Sequence, residues 1–229
     1  MFNILLWQSM KRVLVGLILA FLTGFLLPYE LAARLWIGAT FSLLLPFMVI
    51  GRRRSLNRNA YAHMLASYPH RRTWQIGSLS PAIFMVLLWS VMIAQGHLKL
   101  TLIYFIWGLC CVAISDLFDH WQVHVGGAWA YSTLVITALL TSPFWGALWF
   151  GRTAFSPWIA SLCFGLHPTF MGLKATGQVT LQNPLLYQLT QSGLVEVYVL
   201  PWWIGLVVYL AIGSLCIEIN VRKPLWYNE

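Results

Sequence analysis

The chain has 229 residues and a formal net charge of +8, and 59% of its residues are hydrophobic while only 9% are charged. Soluble globular domains carry about 25% charged residues, and a soluble fold of this length leaves too much surface in water to hide so many apolar side chains. The composition therefore excludes an ordinary soluble domain and predicts a chain that crosses a membrane.

The apolar residues form continuous runs of about twenty residues rather than short alternating segments, which favours helices over a β-barrel. Lipid offers the backbone no hydrogen-bond partner, so each run satisfies its own backbone as a helix. We predict an all-α polytopic membrane protein with about six transmembrane helices in one domain, residues 1–229.

The first half of the sequence predicts three spans and one polar loop. Residues 2–10 form either an interfacial helix or the first turns of span one, at about 13–27, and no small-residue cleavage site of a signal peptide follows. The second span covers about 31–50 and the third about 76–94. The cytoplasmic loop between them, 51–75, holds six Arg and no acidic residue.

The second half predicts three further spans, at about 98–114, 125–150 and 197–217. Before the last one lies a mixed segment, 151–196, whose apolar part is interrupted by Pro157, Pro168 and Pro184. Proline breaks a continuous helix, so we assign no span to this segment and place it on the outer side.

Basic residues mark one side of these spans. Ten of the 14 Lys and Arg residues lie at the N-terminus, in the 51–75 loop and in the C-terminal tail, which predicts both termini in the cytoplasm of a bacterial inner membrane. Since these residues flank apolar runs, we expect them to bind membrane lipids, and we expect no nucleic acid as a partner.

The polar loop contains the stretch MLASYPHRRTWQIG, from Met64 to Gly77. It resembles the coupling helix of type-2 ATP-binding-cassette exporter permeases, which carry a leucine–leucine–small–x–Pro–x–Ser–Arg–Arg pattern before their third span. Those permeases have six spans, both ends inside, about 230 residues and a pair of short re-entrant helices before the last span, to which residues 151–196 are similar. Family members usually carry acidic residues before the coupling helix, where this chain has arginines within 52–58.

The resemblance implies a membrane subunit that exports a lipidic, amphipathic or peptide cargo. ATP would be bound by a separate nucleotide-binding ATPase subunit, and a second permease copy or homologue would complete the complex. The residues expected to face the ATPase are Met64, Leu65, Tyr68, Pro69, Arg71, Arg72, Asp116 and Asp119. The alternative is a structural membrane subunit or scaffold whose basic loop only binds lipid.

Asp116 and Asp119 lie three residues apart, on one helix face at the inner end of span four. They form either a solvated helix end or an acceptor for Arg and Lys of the loop or of a partner. Because no acidic residue falls inside a predicted span, we expect no buried charge within the spans and no ion or proton pathway.

Motifs for chemistry within this chain are not found. There is no GxxxxGK[ST], HExxH or GxSxG sequence, so we predict no enzyme, no cofactor and no metal in this chain. The four Cys lack CxxC spacing and are expected to be packing residues. His120 and His124 lie on one helix at the water boundary, which does not suit a haem between facing helices.

Overall fold

The computed structural model describes residues 31–50, 71–95, 97–121, 125–150, 156–177 and 200–222. This part of the chain is helical and contains no strand, which confirms the all-α class. The helices are α1 (Leu31–Phe41), α2 (Arg71–Ala94), α3 (Leu98–Trp121), α4 (Val125–Phe150), α5 (Ser156–Gly165), α6 (Pro168–Ala175) and α7 (Trp202–Arg222). A 3-10 turn, Ser42–Leu44, continues α1 into helical residues 45–50.

Several helices begin or end where the hydropathy pattern placed a span. Helix α4 has the bounds of the fifth predicted span, α2 ends with the third and α3 begins with the fourth. Helix α3 then continues seven residues beyond 114, and α2 begins at Arg71, five residues before 76. The first predicted span lies outside the described residues.

Two described helices are long and apolar enough to cross a membrane: α3 over Leu98–Asp119 and α7 over Trp202–Asn220. Shorter apolar helical stretches cover Arg34–Ile50 and Ala82–Ala94. The described residues therefore show two such helices and not the predicted six.

Helix α3 is the centre of the bundle, packed against α2, α4, α6 and α7. Buried residues make up 72% of its apolar stretch but 22% of that of α7. The largest side chains that α3 buries completely are Tyr104 and Trp107. Its contact with α2 is close at Gly108, where an added Cβ would lie 2.4 Å from a methyl carbon of Val86. A larger residue at 108 would therefore push these two helices apart.

The outer face of the bundle exposes many large apolar side chains. Helix α7 turns Leu206 and Tyr209 inward, yet Val207 and Leu215 on its other side are 58% and 61% exposed. A helix with apolar residues all round is typical of a membrane span or of the core of a large protein.

The helices meet at two distinct ends. At one end, the first turns of α1, α3 and α7 and the last turn of α2 lie together, and α5 and α6 cover them; we call this the capped end. At the other, called the acidic end, Asp116 near the end of α3 meets Asn220 near the end of α7. Phe118 of α3 also stacks on Tyr131 of α4 there, with ring centroids 6.0 Å apart.

Candidate functional site

The residues predicted to face an ATPase are only partly described. Met64, Leu65, Tyr68 and Pro69 lie outside the described residues. Arg71 and Arg72 are the first two residues of α2, and their side chains are likewise outside the description. The coupling helix therefore stays a prediction, and the structure adds that a long helix begins directly after it.

Asp116 and Asp119 are buried, with 3% and 8% of their surface exposed. They do not form a solvated helix end, because α3 continues to Trp121 and keeps both carboxyl groups inside the bundle. Both residues lie beyond the predicted span at 98–114, but the apolar stretch of α3 ends at Asp119, so the bundle buries two acidic residues that the predicted span left outside.

Asp116 makes a hydrogen bond that the sequence did not suggest. Asn220 Nδ2 donates to Asp116 Oδ2 over 2.6 Å, and Asn220 is 1% exposed. Cys216, one turn before Asn220 on α7, lies within electrostatic range of Asp116. Polar residues between apolar helices fix their relative position because the alternative is an unsatisfied polar group. The acidic end thus joins α3 and α7 at a defined register. The missed signal was Asn220, an amide near the end of an apolar helix.

The capped end contains a second buried polar cluster, made of Tyr104, His167 and Thr169. Tyr104 of α3 donates its hydroxyl to the backbone carbonyl of Leu35 in α1 over 2.7 Å. Thr169 lies next to that hydroxyl and, like His167, has no exposed surface. Beside the cluster, Arg34 Nη1 donates to Gln95 Oε1 and so links α1 to the end of α2.

His167 occupies the turn between α5 and α6. It is the N-cap residue of α6, and its Nδ1 accepts a hydrogen bond from the backbone N–H of Thr169 over 3.2 Å. This bond places the ring proton on Nε2. The ring packs on Trp36 of α1 and on Phe170, with centroid distances of 4.6 and 5.5 Å.

Burial sets the protonation state of His167. It lowers the pKa of the imidazole from 6.5 to about 3, while the nearby backbone carbonyl of Leu140 acts in the opposite direction. That carbonyl is not in hydrogen-bond geometry, and Nε2 has no such partner among the described residues. His167 is therefore uncharged at neutral pH. The sequence signal for it was a His directly before Pro168, since proline favours the first position of a helix.

The four cysteines pack as predicted. Cys110 and Cys111 on α3 and Cys216 on α7 are buried, and Cys163 is half-buried on α5. In the part of the chain that the structure describes, no three His, Cys, Asp or Glu side chains converge as metal ligands would.

The two buried clusters lie at opposite ends of α3 and tie it to different neighbours. The acidic end joins α3 to α7, and the capped end joins α3 to α1 and to the α5–α6 pair. Comparison of the chain with protein-family models, with curated proteins and with solved structures found no match.

Proposed function

We propose that this chain is a polytopic protein of a bacterial inner membrane, with six spans and both termini in the cytoplasm. In this proposal it is the transmembrane permease subunit of an ATP-binding-cassette exporter or a related mechanochemical complex. A separate ATPase subunit binds ATP and drives it through residues 61–74, and a second permease copy or homologue completes the assembly. The observation that carries the proposal is the position of α5 and α6.

Helices α5 and α6 are a pair of short helices between the fifth predicted span and the last one, and they cover the end of the bundle opposite Arg71. They are packed into the bundle: an added Cβ at Gly172 of α6 would lie 3.0 Å from Leu35 of α1. On α7, an added Cβ at Gly205 would lie 2.5 Å from Met171 Sδ. Short helices at this place in the chain and at the outer end of the bundle are what the permease resemblance implies.

The apolar outer face supports a membrane location. Burying apolar surface is worth about 25 cal/mol per Å², so side chains such as Leu134, Val207 and Leu215, all more than half exposed, would be unfavourable in water. In a bilayer the same side chains face acyl chains. They also offer a lateral route by which a lipidic, amphipathic or peptide cargo reaches the bundle without crossing a charged path.

The packing of α2 on α3 supports a mechanical role for the loop. Helix α2 begins at Arg71, directly after the predicted coupling helix, and contacts α3 at Gly108 with no room for one more carbon atom. Packed helices transmit small displacements as rigid bodies. A displacement of the loop would therefore pass to α3, which holds α7 at one end and the α5–α6 pair at the other.

The experiment is a purification of the tagged chain from its native membrane in a mild detergent, followed by mass spectrometry of the proteins bound to it. We expect a nucleotide-binding subunit in stoichiometric amount, and we expect it to be lost in the R71E/R72E variant. The matched control is K99E/K174E, which makes the same change in charge on exposed residues of the capped end and should retain the subunit.

An inserted wild-type chain that brings down no nucleotide-binding subunit would contradict the exporter proposal. It would favour the structural subunit or scaffold, whose basic loop binds only lipid. Loss of the ATPase from both charge variants would show that the 61–74 loop is not its specific contact.

A further inference from the structure

The turn between α5 and α6 depends on one uncharged histidine. His167 has no exposed surface, and its ring lies between Trp36 of α1 and Phe170 of α6. It is therefore both the connection between the two short helices and one of their contacts with α1, beside those of Phe170 with Trp36 and of Gly172 with Leu35. Release of this ring would separate the α5–α6 turn from the bundle.

Protonation of the ring is incompatible with this arrangement for two reasons. The first is that Nδ1 accepts from the backbone N–H of Thr169, and a protonated Nδ1 would point a second donor at that donor. The second is that the ring lies at the N-terminus of α6, the positive end of the helix dipole. The face of Trp36 attracts a cation, but burial outweighs this attraction, since the pKa of His167 falls to about 3.

The surroundings of His167 contain no described carboxyl group, and the Leu140 carbonyl and the face of Trp36, which both favour a cation, do not outweigh burial. The charged or titratable residues nearest this end are Arg34 on α1, His97 directly before α3, Lys99 and Tyr104 on α3, Cys163 on α5, Lys174 on α6 and Tyr209 on α7. Those that carry charge at neutral pH are basic. The acidic residues among those described are Asp116, Asp119 and Glu218, in the last turns of α3 and α7 at the acidic end.

We propose that His167 is an acid-sensitive latch: its neutral ring holds the α5–α6 turn on α1, and protonation releases that turn from the bundle. The latch does not depend on an ATPase partner. If the capped end faces outward, as proposed above, acidification outside the cell is the condition that opens it.

The proposal fixes the size of the effect. An exposed histidine has its ordinary pKa of 6.5, whereas the latched ring has a pKa of about 3. Between pH 3 and pH 6.5 the ring binds a proton only in the released form. Each pH unit of acidification in this range therefore raises the population of the released form about tenfold. Above pH 6.5 the population is constant.

The test is hydrogen exchange of the full chain in detergent or nanodiscs between pH 7.5 and 4.5, with each rate divided by its intrinsic rate. Peptides that cover residues 160–175 report the latch, and peptides from residues 103–114 of α3 are the internal reference. The H167N variant keeps a side-chain acceptor for the Thr169 N–H but does not titrate. H97Q is the matched control because His97 is exposed at the same end.

In the wild type and H97Q we expect protection of the 160–175 peptides to fall about tenfold per pH unit below 6.5, with no such fall in α3. In H167N we expect protection that is independent of pH. Equal pH dependence in H167N and the wild type would overturn the latch. If H167N does not fold, the wild type decides: a slope confined to 160–175 supports the proposal, and no slope, or one shared with α3, overturns it.

Discussion

Asn220 donates its side-chain N–H to Asp116 over 2.6 Å, and this bond joins α7 to α3 across 104 residues of sequence. Both side chains are buried between two helices that are otherwise mostly apolar. Apolar packing alone allows two helices to slide past each other, because many registers bury similar areas. The amide–carboxyl bond selects one register of α7 on α3. The close contact at Gly108 restricts the position of α2 on α3 by steric exclusion.

Replacing Asn220 should therefore destabilise the bundle. In N220L, Asp116 keeps its buried position but loses this donor, and we expect a loss of about 1–3 kcal/mol in the free energy of unfolding. Unfolding by denaturing detergent in mixed micelles measures it. S214A, at an exposed position of the same helix, is the control. Equal stability of N220L and S214A would show that the bond contributes nothing.

The Gly108 contact predicts a difference between two glycine substitutions. In G108A the new methyl group would lie too close to the side chains of Val86 and Trp89. Overpacking of this kind lowers the free energy of unfolding by about 1–3 kcal/mol. In G213A the nearest heavy atom is 3.8 Å away, so the higher helix propensity of alanine leaves stability unchanged or raised. The unfolding midpoints of the two variants in the same detergent check this. A G108A variant as stable as G213A would mean that α2 and α3 are not in this contact.

Removal of the Tyr104 hydroxyl should weaken the capped end. Y104F loses the hydrogen bond to the Leu35 carbonyl and leaves that carbonyl without the donor. We expect the free energy of unfolding to fall by about 1 kcal/mol. Y131F is the matched control, since Tyr131 is 51% exposed. The same unfolding assay applies. If the two variants were equally stable, the bond between α1 and α3 would not contribute to the fold.

Global stability should also depend on pH through His167. Its pKa is about 3 when folded and 6.5 when unfolded, so the unfolded chain binds more protons as the pH falls below 6.5. The contribution is fully present above pH 6.5 and falls by about 1.4 kcal/mol for each pH unit below it.

This effect is measured as the difference between the wild type and H167N at pH 7.5 and at pH 5. We expect the wild type to lose about 2 kcal/mol more than H167N over this interval. A difference that does not change with pH would place His167 in a solvated site.

The sequence predicted the helices better than their contacts. The bounds of α4 follow from hydropathy, because an apolar run bounded by polar residues defines a helix end locally. The bond from Asn220 to Asp116 does not follow, because it depends on the relative register of two helices far apart in sequence. Nor does the burial of Asp119, since one sequence does not show that α3 extends two turns past the predicted end of its span at 114. His167 was not recognised because its role depends on the packing of two short helices against α1.

The most direct test of the central claim, that this bundle crosses a membrane, is cysteine labelling at the two ends of α3. Lys99 and Trp121 are both exposed and lie about 33 Å apart along a helix of this length. In intact cells, with the wild type as the blank, we predict that a membrane-impermeant maleimide labels K99C. W121C should be labelled only after the membrane is opened. Labelling of both positions in intact cells, or of W121C alone, would contradict this account.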